Sequence, residues 1–159
     1  MEFFLWCLGL LIGSLVEWIA HRYVLHNFTL RFLSYSHFSV HHRNSRKNKC
    51  RDADYLKFPP TKLSSGLSEI IMLLLLAVLI IPIYDISIGL WLGLQTHIFL
   101  YYFLHRRFHL YPKWGRKWMR CHWDHHMGKD QNSNWGVTNP IFDYVFGTRK
   151  KYLEDVNSN

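Results

Sequence analysis

Basic residues are missing from two long parts of this 159-residue chain: none precedes Arg22, and none lies between Lys62 and Arg106. All 19 lysines and arginines therefore fall in two blocks, from Arg22 to Lys62 and from Arg106 to Lys151. Paired cysteines are missing too. Cys7, Cys50 and Cys121 show no CxxC spacing, which excludes a disulfide framework and a paired-thiolate zinc or redox motif. Cys121 adjoins His122 and could act as a thiolate ligand, although an unpaired cytosolic thiol is the simpler reading. The opening Met1-Glu2-Phe3 has no basic n-region, and no small-residue cleavage site follows the first apolar run. That run is expected to be a retained helix and not a cleaved leader.

The stretches without basic residues are the apolar ones. Residues 3–20 are apolar except for Ser14 and Glu17, residues 67–84 contain the uncharged stretch 70–81, and residues 86–104 carry Gln95 and His97 inside. Each run spans roughly 27 Å as a helix, enough for a hydrocarbon core. Pro82 and Asp85 break the chain between the second and third runs and leave room only for a tight turn, so these two form a transmembrane hairpin. One crossing followed by a hairpin places 21–66 and 105–159 on the same side. The one-sided distribution of basic residues makes that side cytosolic, with Glu2 and Asp85 opposite. The formal charge of +8 fits an anionic membrane face and not nucleic acid, because the basic blocks are also rich in aromatic residues, as interfacial segments are.

The expected fold is an all-α integral membrane protein, a single domain over 1–159. It has about three transmembrane helices (3–20, 67–84 and 86–104) and a cytosolic histidine-rich cap of short and interfacial helices (21–66 and 105–159). Within the cap, 27–35 reads as an interfacial connection, and 43–65 as a headgroup-level loop in which Pro59 and Pro60 prevent a continuous helix. From Tyr111 onward, Trp114, Arg116, Lys117 and Trp118 suggest an amphipathic surface helix, and 153–159 a frayed tail.

Ten of the eleven histidines fall in four clusters: His21 and His26; His37, His41 and His42; His105 and His109; His122, His125 and His126. His105 and His109, His37 and His41, and His122 with His125 and His126 are spaced three or four apart and share helix faces. His21 and His26 are five apart, about 140° round an ideal helix, and need a helix end, a bulge or two different metals to act together. Structural zinc takes four ligands, usually including thiolates. Ten imidazoles fit two ions with about five each and an open position, which suits a redox metal such as iron. Neutral imidazoles leave such a site cationic, so nearby carboxylates matter: Glu17, four residues before His21, Asp124 and Asp143 are candidates to orient ligands. His97 stands apart from the clusters inside a membrane helix and reads as a substrate-pocket or helix-bridging residue.

The clusters read HRYVLH (21–26), HFSVHH (37–42), HRRFH (105–109) and HWDHH (122–126), followed by NWGVTNPIFDYVFGT (134–148). These resemble the histidine boxes and closing stretch of the membrane fatty acid hydroxylase/sterol desaturase superfamily. EWIAHRYVLH (17–26) with Phe58-Pro59-Pro60 resembles its fatty acid 2-hydroxylase branch. The resemblance implies a non-haem di-iron monooxygenase that uses dioxygen as co-substrate and hydroxylates a long acyl chain in lipid biosynthesis. It implies two iron ions (zinc in a purified form), held by His21, His26, His37, His41, His42, His105, His109, His122, His125 and His126, with no catalytic residue beyond the metal centre. This chain lacks the fused cytochrome b5 domain of some relatives, so electrons are expected from a separate cytochrome b5 or ferredoxin-type carrier. The membrane would be a bacterial inner membrane or the endoplasmic reticulum. A carotenoid hydroxylase or a sterol or lipid desaturase are the alternatives within this chemistry. A haem cytochrome or a metal-binding protein without catalysis are the alternatives outside it. Haem would need histidines inside the spans, and transport sites lie near the midplane, where only His97 falls.

Overall fold

The computed structural model describes residues 1–27, 29, 34–57 and 65–152, and among them every regular element is helical. Helix α1 (Glu2–Ala20) passes without a break into a π-helical turn, His21–Leu25. A second π-helical turn, Tyr35–His42, leads into the short α2 (Arg43–Lys47), and a 3-10 turn follows at Ala53–Leu56. α3 (Ser65–Leu79) and α4 (Ile88–Leu110) are joined by the 3-10 turn Ile81–Asp85. Three short helices finish the fold: α5 (Pro112–Trp118), α6 (Arg120–Met127) and α7 (Ile141–Val145). The readings made for 30–33, for Phe58-Pro59-Pro60 and for the tail 153–159 lie outside the described residues.

The frame is the pair α1 and α4. Their contacts run in step. Glu2 Oε2 accepts from the Gly89 amide at 2.7 Å and from Ser87 Oγ at 3.0 Å. A Cβ added to Gly93 would lie 2.2 Å from the Trp6 carbonyl, and one added to Gly13 would meet the His97 ring at 2.5 Å. Residue numbers rise together along both helices, so α1 and α4 are parallel. The spacings Gly9-xxx-Gly13 and Gly89-xxx-Gly93 let the two backbones come together as small-residue motifs do between membrane helices. The Glu2 carboxylate sits at the N-terminus of α4, where unpaired amides and the helix dipole favour an anion. Ser87 also caps that end, accepting from the Leu90 amide at 3.1 Å. A parallel pair needs a helix that returns between them. α3 does this, tied to α4 by Gln95 Nε2 donating to the Ala77 carbonyl at 3.2 Å.

Residue 2 and the hairpin turn therefore share one end of the frame, and His21, His105 and His109 share the other. Two stretches, Glu2–Leu25 and Gly66–Asp85, are long and apolar enough to cross a membrane. α4 falls below that level because Gln95, His97, Tyr101 and Tyr102 lie within it. Its outer face is nonetheless apolar: Phe99 and Phe103 are exposed, as are Phe3 and Phe4 on α1 and Leu74, Leu75, Val78 and Leu79 on α3. Such a belt exceeds what a monomer keeps in water.

Element boundaries differ from expectation in three places. The segment 43–65, read as a loop, holds α2 (Arg43–Lys47) and the 3-10 turn Ala53–Leu56. The second run does not stay α-helical to Tyr84: α3 ends at Leu79 and a 3-10 turn takes over around Pro82, whose ring cannot sit inside an α-helix. The third run does not end at Leu104: α4 continues to Leu110 and carries His105 and His109 on the same rigid rod.

Gly93→Ala is expected to cost about 1–3 kcal/mol, because the added methyl meets a backbone carbonyl that cannot rotate away. The thermal midpoint of the purified protein in detergent should drop, whereas Leu92→Ala on the outer face should leave it nearly unchanged.

Candidate metal centre

Nine of the histidines converge in two buried groups. His21, His26, His37, His42 and His125 form the first; His41, His105, His109 and His126 form the second. In each, the candidate ligand atoms all lie within 4.8 Å of one another. The groups adjoin, with the His42 and His126 rings 4.3 Å apart between centroids. His122 lies beside the second group, its ring 4.5 Å from His126 and 4.9 Å from His105.

Local backbone geometry explains the sorting. In a π-helical turn residue i+5, not i+4, bonds back to residue i, and here the His26 amide donates to the His21 carbonyl at 3.2 Å. Residues five apart thus come round to one side. The His21 and His26 rings stand 5.2 Å apart, and His37 and His42, also five apart in a π-helical turn, stand 4.9 Å apart. Both pairs enter the first group. The α-helical pair His105/His109 enters the second. The two His-His dipeptides divide: successive residues point in different directions, so His42 and His125 serve the first group while His41 and His126 serve the second. Helix-face sharing of His37 with His41, and of His122 with His125, therefore does not translate into shared groups.

The hydrogen bonds fix the proton on most of these rings. Nδ1 of His21 lies 2.6 Å from the Trp135 carbonyl, Nδ1 of His109 2.8 Å from the Cys50 carbonyl, and Nδ1 of His125 2.8 Å from the Ser133 carbonyl. A carbonyl oxygen can only accept, so each Nδ1 carries the proton and each Nε2 is a bare lone pair. Carboxylates do the same elsewhere: Asp52 accepts from His41 Nδ1 at 2.7 Å and Glu69 from His105 Nδ1 at 2.9 Å. The Tyr55 hydroxyl donates to the other Glu69 oxygen. The consequence is clearest at His105 and His109, whose bare Nε2 atoms face each other at 3.2 Å. Two lone pairs at that distance repel unless a cation sits between or beside them. Both ring nitrogens of His26, His122 and His126, with His41 Nε2 and His42 Nδ1, have no hydrogen-bond partner among the described residues, although they are buried. Buried polar atoms are rarely left so, and a metal ion at each group would take one nitrogen of each such ring.

Burial, reinforced by neighbouring imidazoles, holds His37, His42, His122, His125 and His126 well below the usual imidazole range and pushes His26 down to about 2. All therefore present neutral rings at neutral pH, as metal ligation requires. Burial alone would raise the Asp52 carboxyl, but the hydrogen bonds from His41 and the Asp54 amide hold it below its ordinary value.

The expected outer carboxylates are placed otherwise. Glu17 does not reach His21. It accepts from His97 Nε2 at 3.1 Å, from the Val137 and Thr138 amides at 2.5 and 3.1 Å, and from Thr138 Oγ1 at 2.8 Å, because the 137–138 loop packs onto that face of α1. Asp124 pairs with Arg120 at 3.0 Å and Arg149 at 2.8 Å and touches no imidazole. Asp143 acts at one remove: it accepts from the Trp135 and Gly136 amides at 2.8 and 2.7 Å and so holds the backbone whose carbonyl takes His21. The carboxylates that do bind ligand rings, Asp52 and Glu69, were not anticipated. Glu69 was findable by the reasoning applied to Glu17, since both are acids in or beside an apolar run. Asp52, eleven residues past His41 in a turn, carries no spacing signal.

A cleft of about 600 Å³ lies between α1, α3 and α4. Its walls include Gly13, Val16, Leu73, Leu76, Ile80 and Leu94, and it reaches His21 at its histidine end. His97 lines it. A smaller space of about 340 Å³ adjoins it across Leu25, Met72 and Tyr101 and is bordered by His37, His41, Tyr55 and Glu69.

Residues 6–148 match the fatty acid hydroxylase family, and the chain belongs to that family. No curated protein and no solved structure matches it. The family is one of enzymes of the lipid hydroxylase and desaturase type, and the buried histidine groups, which could hold metal ions, fit a membrane oxidoreductase of that type.

Glu69→Gln should weaken metal binding to the second group roughly 10- to 100-fold, because a neutral amide is a poorer acceptor for His105. Metal analysis after dialysis against a graded chelator series should show about half the metal leaving early. Simultaneous, unchanged retention of all metal would contradict the outer role given to Glu69.

Proposed function

We propose that this protein is a di-iron, dioxygen-dependent membrane monooxygenase that hydroxylates a C–H bond of a fatty acyl chain, in the manner of the fatty acid 2-hydroxylase branch. The observation that carries the reading is the pair of adjoining, buried, neutral imidazole groups at the inner end of an apolar cleft between helices. The first group would hold one ion, and the second, with His122 completing it, the other. Iron bound there supplies the redox chemistry that dioxygen requires.

The chain's own residues do the rest. An alkyl chain offers no polar handle, so selectivity comes from position: the walls at Gly13, Val16, Leu73, Leu76 and Leu94 confine the chain and direct one end toward His21. Leu25, Met72 and Tyr101 separate that space from the polar one and limit water reaching it. The two groups differ in charge. Both ligand-bound carboxylates, Asp52 and Glu69, serve the second group, while the first is supported by carbonyls. The more electron-poor group is thus the one beside the cleft. Tyr55, hydrogen-bonded to Glu69, keeps a proton at the border of the polar space.

In this reading α4 is a third crossing, supported by its 23-residue length, its parallel packing on α1 and its apolar outer face. The histidine end faces the cytosol of a bacterial cell or the cytosolic side of the endoplasmic reticulum, supported by the absence of basic residues from α1, from the hairpin turn Ile81–Asp85 and from α4 before Arg106. Electrons arrive from a separate carrier.

The test is lipid profiling of a host with and without the chain, under dioxygen. New 2-hydroxy acyl species are expected. Hydroxylated carotenoids or sterols, or new double bonds, would reassign the substrate or outcome. His125→Ala with His126→Ala removes one ligand from each group and should abolish product and most bound iron; full activity in that double variant would sink the proposal.

A further inference from the structure

We propose that the turn 47–51 is the docking site of a negatively charged electron-carrier protein, and that the hydrogen bond between His109 and the Cys50 carbonyl links this turn to the second histidine group. This rests on the redox reading above.

The turn's outer surface carries one sign of charge. Lys47, Lys49 and Arg51 are exposed within three residues of Cys50, with Arg43 and Lys57 exposed on either side. The acids of the same segment do not offset them at the surface: Asp52 is buried on His41, and Asp54 is partly buried. Its inner surface reaches the metal centre at once. Cys50 is fully buried, its carbonyl 2.8 Å from His109 Nδ1, and the neighbouring Asp52 bonds both His41 through its side chain and the His109 carbonyl through its amide at 3.3 Å. Solvent and imidazole are thus one residue apart.

The backbone is held in an unusual conformation to do this. Lys49 and Cys50 are consecutive non-glycine residues with φ of 51° and 72°. L-residues rarely adopt that region, and it is found where surroundings over-determine the chain, commonly at functional sites. Here it turns the Cys50 carbonyl inward while Lys49 and Arg51 remain outside.

Lipid headgroups are the rival source of negative charge. The segment 43–54 has no aromatic residue, whereas α7 and its flank expose Ile141, Tyr144, Val145 and Phe146, as interfacial segments do. Cys50 also packs on the last turn of α4, about 8 Å by helix rise beyond Leu104, away from the cleft that opens between the helices. A partner of opposite charge approaching from water fits this better.

Chemically, one electron leaves the carrier's reduced iron–sulfur cluster, oxidising it, and reduces one ferric ion; no bond forms or breaks. Two such transfers, with two protons, balance the insertion of one dioxygen atom into C–H and the release of the other as water.

The experiment uses the full chain in nanodiscs of neutral phosphatidylcholine and a [2Fe–2S] ferredoxin of strongly negative net charge. Binding is measured on zinc-loaded protein, so it is scored whether or not iron chemistry is seen. The native chain should bind, more weakly as salt rises. The variant Lys47→Glu, Lys49→Asn, Arg51→Glu, in which Asn tolerates the left-handed backbone, should bind at least about tenfold more weakly at equal metal content. On iron-loaded protein, its reduction by ferredoxin should slow while reduction by dithionite is unchanged. Native-like binding by the variant, or no binding by the native chain, would overturn the proposal. So would an effect confined to discs containing anionic phosphatidylglycerol, which would give these cations to headgroups. Absence of any dithionite-reducible iron would instead tell against the redox reading itself.

Discussion

Bare imidazole nitrogens facing one another in a dry interior are the constraint on which the rest of this structure depends. Left alone, the lone pairs of His105 and His109 at 3.2 Å would push α4's last turn apart from its neighbours. The protein holds them by fixing the far side of each ring: a carbonyl or carboxylate takes the Nδ1 proton of His21, His41, His105, His109 and His125. Those acceptors come from three separate parts of the chain: the turn at 50–52, the start of α3, and the backbone at Ser133 and Trp135. Much of the fold beyond α1 and α4 can be read as the means of bringing five acceptors to five rings.

Two backbone devices set which ring goes where. π-Helical turns bring residues five apart onto one side, and the His-His dipeptides send consecutive rings into adjoining groups. Together they allow short segments to supply both groups at once, so that neither group can be displaced without the other. The parallel α1–α4 pair, closed by glycines along its length, gives these turns a common rigid base. The cleft alongside ends at His21, in the group supported by carbonyls.

Much of this was legible in the sequence. The apolar runs and the break at Pro82 implied an all-helical chain with helices of membrane-crossing length, two of which the structure shows. Spacing picked out the nine histidines that converge in two groups, and His122 beside them. What spacing could not provide was their sorting, because helix-face reasoning assumes an α-helix, and the chain is π-helical at His21–Leu25 and Tyr35–His42. The i, i+5 pair that looked least regular is the rule for the first group. The outer acceptors were the other blind spot. Three are backbone carbonyls, which no residue type announces, and Glu17, placed by helical spacing beside His21, was drawn to the amides of a loop more than a hundred residues away.

The central claim is that two adjoining histidine groups each hold a redox metal ion. Iron X-ray absorption on the purified, iron-loaded chain tests it most directly, read together with metal content. The account predicts about two irons per chain, each surrounded mainly by imidazole nitrogen with its characteristic multiple scattering, and no haem absorption. A single bound metal, a sulfur scatterer from Cys121, or a Soret band would contradict it.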